Sequence, residues 1–399
     1  MVFRKSMGFF SEKYYVVHLI PFFESFQGYE EDILSRYQAN EGHKVIVISS
    51  FLLPSKEGRS LLERLKFEFF SISENRIIIR LPCILLPSKL TFLLGASILL
   101  IILNYDFIHL HGLLNPLGAI YAGVARLRGK TVISDNHDFI YNTHQLAQSK
   151  RFFSLIKKLE FIIFRRIIGS VQLFLSNYVI AYEKKCTQFL RNFYKYDGNI
   201  IQSRIGFEDN LFSPEIEKNS NEFVDLGFIG QISRRKKPEL LLEILSLLPS
   251  NHRLIIIGSW DKTLLKEFRK KTKIMQLNKR VRILGNIKYK ELGKYCNNLD
   301  LGIYLNSSSI SCQQILGCGV PILVDKNQQF SQSASLYGEK ISFVNEQEMI
   351  EKTVCWIKND LKKFPKLDKD SSIYKNILEE LSFRNTYWQV KNNAYKIKK

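Results

Sequence analysis

Short apolar runs of four to seven residues recur along the whole chain, each closed by a glycine, proline or polar turn and followed by a segment of helical period. Residues 14–20 read as a buried strand that Pro21 ends. After an irregular loop, Gly28 opens a helix whose Ile33, Leu34 and Tyr37 share one face, and Gly42 closes it before a second strand at 45–48. Strand, glycine turn, helix and strand in that space make a βαβ unit, which predicts a parallel, doubly wound sheet. Further strands are predicted at 107–110, 131–134 and 178–181, with a helix over 114–127. The pattern then starts again. Strands at 225–229, 253–257, 281–284 and 299–305 end at or near Gly230, Gly258, Gly285 and Asn306, with an amphipathic helix after the polar turn that begins at Gly230. A last helix is predicted over about 375–397. Two α/β domains follow.

Two apolar stretches break the rhythm. Residues 90–103 are apolar for 14 positions, short of the roughly 20 a membrane span needs, so a buried or interfacial helix is expected. Residues 149–175 alternate aromatic and aliphatic blocks with Lys157, Lys158, Arg165 and Arg166, a basic amphipathic composition suited to an anionic interface or to a core-facing helix with a wet lysine face.

The 399-residue chain carries 58 Lys and Arg against 38 Asp and Glu, a formal charge of +20. An excess of that size favours phosphorylated substrates, anionic lipid or nucleic acid, though solvated lysines account for part of it. No nucleic-acid-binding module is apparent, which argues against the last. Six cysteines are scattered without a CxxC pair, the pattern of reduced thiols in the cytosol with neither a zinc site nor a disulfide framework. The N-terminal apolar run is broken by Glu12 and Lys13 and reads as a short tail leading into a strand, not a signal peptide.

Candidate chemistry concentrates where the strands end. Residues 306–321, NSSSISCQQILGCGVP, run from a polar turn into a helix and out through Gly319 and Pro321, an arrangement that aims backbone N–H groups at an anion. Residues 230–237 supply a glycine turn and a lysine-rich helix start. The pair His109 and His111 leaves a strand two residues apart, but no third ligand is apparent and a metal site is not expected. No GxGxxG, Walker or Gly-x-Ser-x-Gly pattern occurs.

Cys318-Gly319-Val320-Pro321, with its small-residue run, resembles the end of the signature of the group 1 retaining glycosyltransferases of GT-B fold. That signature carries Glu-x7-Glu; here the two positions hold Asn306 and Gln314. Gly28, Glu30, Gly42, His43 and Val45 resemble the family's first loop and helix, and Gly206, Glu208, Phe212 and Pro214 its interdomain linker. The resemblance implies an α/β fold of two Rossmann-like domains facing a cleft, the first (1–205, completed by a C-terminal helix at 376–399) binding acceptor and the second (206–375) a nucleotide-sugar donor. It implies donor contacts from Gly28, Gln231 (where the family has arginine), Lys236, Asn306, Ser309, Ile310 and Gln314, with Arg234 and Arg235 near enough to make up the lost charge. His137 takes the place of the family's histidine near the reacting carbon. The implied reaction is retaining transfer of a sugar to an acceptor hydroxyl with no metal and no cofactor. The expected acceptor is a lipid-linked glycan, met at the inner face of the cytoplasmic membrane through 149–175. Loss of both glutamates keeps a second reading open, a catalytically impaired homologue that binds a nucleotide sugar or a partner chain. A plain helix start at Gln313 and Gln314, capped by Ser311, is the structural alternative for the signature itself.

Overall fold

The computed structural model describes residues 13–54, 60, 62–85, 91–113, 118–136, 166–215, 222–306, 309–328 and 331–394. Two separate sheets carry the architecture. The first contains β1 (Tyr15–Leu19), β2 (Lys44–Ser50), β3 (Phe70–Ser73), β4 (Arg76–Leu81), β7 (Phe107–Leu110), β8 (Thr131–Asn136), β9 (Tyr178–Ala181) and β10 (Ile200–Gln202), with a small hairpin of β5 (Cys83–Leu85) and β6 (Thr91–Leu93) beside it. Its order is β10-β9-β8-β7-β1-β2-β4-β3, parallel throughout except for the antiparallel edge strand β3. The second sheet holds β11 (Val224–Ile229), β12 (His252–Ile257), β13 (Val281–Gly285), β14 (Leu301–Tyr304), β15 (Ile322–Asp325) and β16 (Gly338–Ile341), all parallel, in the order β13-β12-β11-β14-β15-β16. Each sheet winds outward from its first strand in both directions. The order therefore reverses between β1 and β7 and between β11 and β14, and ligands of such sheets bind outside the strand ends at that reversal.

Central strands here are apolar on both faces because helices cover both. Phe107–Leu110 and Leu301–Tyr304 are buried at every position. In the first domain α1 (Glu30–Asn40) lies on one side, while α2 (Ala96–Ile102), α3 (Gly118–Leu127) and α4 (Gly169–Leu175) form a layer on the other, with α5 (Lys184–Phe193) following. The second domain adds α6 (Glu239–Ser246), α7 (Lys262–Ile274), α8 (Leu292–Asn297), α9 (Ser311–Gly317) and α10 (Glu346–Asn359). The chain ends in α11 (Ser372–Leu381) and α12 (Phe383–Ala394).

Two expectations change, and a third lies partly outside the described residues. The apolar stretch 90–103 is not one helix: residues 91–93 pair as a strand, and Gly95, at φ +83°, turns the chain into the seven-residue α2. The terminal helix is two, broken at Ser382, whose backbone is extended. At that break the interdomain linker and the chain end hold each other, Phe207 N–H donating to Leu381 O (2.9 Å) and Phe383 N–H to Phe207 O (2.8 Å). A side chain on Gly206 would start 1.9 Å from Leu381 O, so glycine is needed for that approach. From the break α12 runs back onto the first domain, where Tyr387 meets His43 and Thr386 Oγ1 donates to Arg204 O. Finally, of the helix expected over 114–127 the described part is Gly118–Leu127.

Candidate functional site

The C-terminal ends of β11, β12 and β13 finish on glycines, all three with positive φ, and at Gly258 there is no room for anything else. Gly230 and Gly258 have φ of +139° and +142°, and a Cβ on Gly258 would lie 1.9 Å from Gly230 O. After Gly230 the chain makes one 3-10 turn, Arg234–Lys236, and Lys237 (φ +47°) swings it into α6. The turn folds the lysine back over the strand end. Lys236 Nζ lies 3.4 Å, and Ser309 Oγ 3.2 Å, from the point where a Gly230 side chain would begin. An ammonium and a hydroxyl thus converge above one bare backbone unit, with the Phe228 ring 5.5 Å beneath the ammonium.

Ser309 is held there by the turn that follows β14. Ser311 Oγ donates to Ile229 O (2.5 Å) and bonds Tyr304 Oη (2.9 Å), which ties the start of α9 to the end of β11. The expected alternative of a Ser311 helix cap is corrected accordingly: its hydroxyl is spent on the neighbouring strand, and α9 has no side-chain cap. Gln313 and Gln314 are both buried, and Gln313 Nε2 donates to Ser333 Oγ (3.1 Å). Gly319 (φ +73°) is required where the chain passes Leu367 O, 2.6 Å from its would-be Cβ. Asn306 lines a cleft of about 660 Å³ with Lys237 and residues 343–347, across which Lys237 and Glu346 form an ion pair. Ile310 packs partly into the core. Gln231 is exposed, and Arg234, offered as a substitute charge, is engaged with Glu267 at 2.7 Å on the surface, while Arg235 is exposed.

The reversal point of the first sheet carries a different chemistry, much of it unforeseen. His137 lies outside the described residues. His109 and His111 leave β7, and β1 brings in His18, so the expectation that the pair has no third ligand is corrected: ligand atoms of all three lie within 4.8 Å of one another. His18 Nε2 meets Gln38 Oε1 at 2.5 Å and its Nδ1 meets His111 Nε2 at 2.9 Å. On the far side, His111 Nδ1 lies 2.6 Å from Asp135 Oδ2, while Asp135 Oδ1 accepts from Gly112 N–H (2.6 Å). Burial, reinforced by His111, pushes His18 down to about 3, so this ring is neutral. Two nitrogens on one tetrahedral zinc, at bonds of 2.0–2.1 Å, would stand about 3.3 Å apart. The observed 2.9 Å is the spacing of an N–H···N hydrogen bond. His111 thus stands between His18 and Asp135 at a strand end. The His-x-His spacing was its visible signal; His18 was hidden inside an apolar strand.

Gly28 (φ +76°) meets the second domain directly. Its would-be Cβ lies 2.4 Å from the Tyr289 ring, and Lys290 Nζ sits 4.0 Å over Phe26. Its structural role is close interdomain approach. Behind it, the Arg36 guanidinium grips Glu208 of the linker through two bonds of 2.7 and 2.8 Å, with Asp32 at 3.3 Å. Burial opposes that charge, but Glu208 and Asp32 outweigh it and hold the Arg36 pKa above its ordinary value.

Comparison with known proteins agrees with this geometry. Residues 209–371, essentially the second domain, match the family of glycosyl transferases group 1. Comparison with curated proteins finds no match. Among solved structures, sucrose-phosphate synthase from Thermosynechococcus elongatus superposes with a TM-score of 0.68 at 14% identity, covering 96% of this chain and 99% of that one. HepE from Anabaena, in complex with UDP and glucose, gives 0.65 at 15% identity, covering 96% and 100%. The lipopolysaccharide outer core galactosyltransferase WaaB gives 0.56 at 12% identity, covering 94% and 99%. These likenesses, over nearly the full length of both partners, establish the fold: two Rossmann-like domains in the GT-B arrangement.

Proposed function

We propose that the protein is a glycosyltransferase that moves a sugar from a nucleotide-sugar donor to an acceptor hydroxyl with retention of configuration. The observation that carries this reading is the convergence of Lys236 Nζ and Ser309 Oγ on bare Gly230, at the point where the second sheet reverses. A diphosphate placed there meets an ammonium, a hydroxyl and unobstructed backbone, and the leaving diphosphate is where most charge develops during transfer. Lys236 takes that charge in place of a metal ion. The amides of Asn306 and Gln314 accept and donate hydrogen bonds to sugar and ribose hydroxyls but supply no negative charge. Gln231 and Ile310 border the donor through backbone and shape, while the space above Gly28 is taken by Tyr289. On the first domain both ring nitrogens of His111 are engaged, by His18 and Asp135, so the part of the histidine near the reacting carbon stays with His137.

HepE has been captured with UDP-glucose, so UDP-sugars are the first donors to try. WaaB acts on lipopolysaccharide, which supports a lipid-linked glycan acceptor in surface polysaccharide assembly, met at the inner face of the cytoplasmic membrane. No described helix is long and apolar enough to cross a membrane. The expected anionic contact at 149–175 falls mostly outside the described residues.

The test is release of nucleoside diphosphate from a panel of nucleotide sugars, with and without bacterial lipid extract. Release with one donor, stimulated by extract and abolished in Lys236→Ala, is the expected result. Asn306 and Gln314 favour a second reading, a donor-binding homologue without turnover; donor binding with no release under any condition would establish it instead.

A further inference from the structure

The layer formed by α2, α3 and α4 covers one face of the first sheet, and among the described residues its outer side is exposed. Its inward residues, Ala96, Leu100, Tyr121, Ala122 and Ala125, join the core. Its outward residues are almost as apolar. On α2, Ile98, Ile101 and Ile102 are 64, 55 and 67% exposed; on α3, Ile120 and Leu127 are 49 and 90% exposed. Leading into and along α4, Val171 and Phe174 are 45 and 85% exposed, with Ile167 one turn earlier. The α3 helix packs between the other two, so these side chains belong to one continuous surface. Monomeric soluble proteins rarely leave a patch of this kind open without a partner.

Charge identifies the partner. The segments 91–104, 118–134 and 166–182, which build this face, contain no Asp or Glu. They contain Arg126, Arg128, Lys130 and Arg166, of which Arg126 and Arg166 are exposed. A protein partner would ordinarily be met by charges of both signs around an apolar centre. Apolar side chains with cations alone suit a surface that is apolar below and anionic above, which describes an anionic phospholipid bilayer. The α2 helix, seven residues and so about 10 Å long, can lie in such an interface but not span it.

We propose that the α2–α3–α4 face docks the protein flat on anionic phospholipid membranes, with Ile98, Ile101, Ile102, Leu127 and Phe174 entering the headgroup boundary and Arg126 and Arg166 meeting lipid phosphate. This deepens the membrane element of the proposed function but is independent of its donor site. The test is sedimentation of the full chain with vesicles of phosphatidylcholine alone or with 30% phosphatidylglycerol, at low and high salt. The variants are Ile98→Ser/Ile101→Ser/Phe174→Ser and Arg126→Gln/Arg166→Gln. All five positions are solvent-facing, and unchanged melting temperatures verify folding. Partition to phosphatidylglycerol vesicles is expected to fall at least tenfold in the triple variant and severalfold in the arginine variant, the latter difference vanishing at high salt. Donor-induced thermal stabilisation should stay unchanged in both. Failure of the wild-type chain to bind anionic vesicles, or equal binding by the triple variant, overturns the proposal. So does a wild-type dimer that the triple variant dissociates without any vesicle binding, which would assign the face to a second copy.

Discussion

Replacing Glu208 by alanine tests how the two domains are pinned. The carboxylate is 2% exposed and accepts from Arg36 Nη1 and Nη2 at 2.7 and 2.8 Å, while the guanidinium is 8% exposed. Removing one member of a buried pair leaves the other charged and unsolvated, at a cost of about 3–5 kcal/mol. Asp32 remains 3.3 Å from Arg36 Nε, but it already serves Arg76 at 2.9 Å and cannot replace both lost bonds. The lower end, about 3 kcal/mol, is therefore expected. At a urea slope of about 3 kcal/mol/M this moves the unfolding midpoint down by about 1 M. Because Glu208 lies in the linker and Arg36 in α1, the loss should also separate the transitions of the two domains. In a Trp388→Phe background, which removes the tryptophan of α12, fluorescence of Trp260 and Trp356, both in the second domain, can be followed against far-UV dichroism of the whole chain. The double variant Arg36→Met/Glu208→Leu removes charge and partner together and should recover most of the loss. A midpoint shift under 0.2 M (about 0.6 kcal/mol at that slope) in Glu208→Ala, or a double variant as unstable as the sum of the singles, would refute the reasoning.

Three other predictions concern the sites. Gly230→Ala forces an L-residue to φ +139° and sets a methyl between Lys236 and Ser309; stability should fall by about 1–3 kcal/mol and donor affinity at least tenfold, measured by denaturation and titration calorimetry. His43 is held down to about 4, by burial first and Lys391 second, and its Nδ1 accepts from Tyr14 N–H. The unfolded ring takes up a proton near 6.5 and the folded ring resists until about 4, so its contribution is full above 6.5 and declines as pH falls through that window, by about 2 kcal/mol at pH 5. Urea denaturation at pH 7.5 and 5 should show that dependence in the wild type and a flatter one in His43→Asn. Lastly, transfer should be indifferent to EDTA, since Lys236 carries the diphosphate charge; activity lost to chelation and restored by manganese would contradict this.

The doubly wound sheets were legible because a parallel strand buried on both faces has an unmistakable signature, a short apolar run ended by glycine. Gly230, Gly258 and Gly285 marked strand ends in the sequence for the same reason they are needed in the fold: the backbone turns there with positive φ, and at Gly258 it also passes against Gly230 O. The Lys236 turn and the 306–321 segment could likewise be read, since local order places both after strands. What escaped was long-range. His18 looks like part of a hydrophobic strand, and only sheet order brings it to His111, 93 residues away. Tyr289 gave no sign that its ring fills the space above Gly28. The stretch 90–103 misled because composition alone does not register that Gly95 divides a strand from a helix. Arg234, near in sequence to the donor turn, is drawn to Glu267 instead, a partner that lies 33 residues on.

The most direct test of the central claim is thermal stabilisation across a panel of nucleotide sugars and nucleoside diphosphates, for the wild-type chain and Lys236→Ala. A ligand that binds only the folded state at 100 times its dissociation constant adds about 2.7 kcal/mol to stability, which a melting curve resolves readily. Stabilisation by one donor and its diphosphate, lost in Lys236→Ala while the unliganded melting temperature holds, is the predicted result. No stabilisation by any donor, or equal stabilisation in the variant, would contradict a donor site built on Gly230, Lys236 and Ser309.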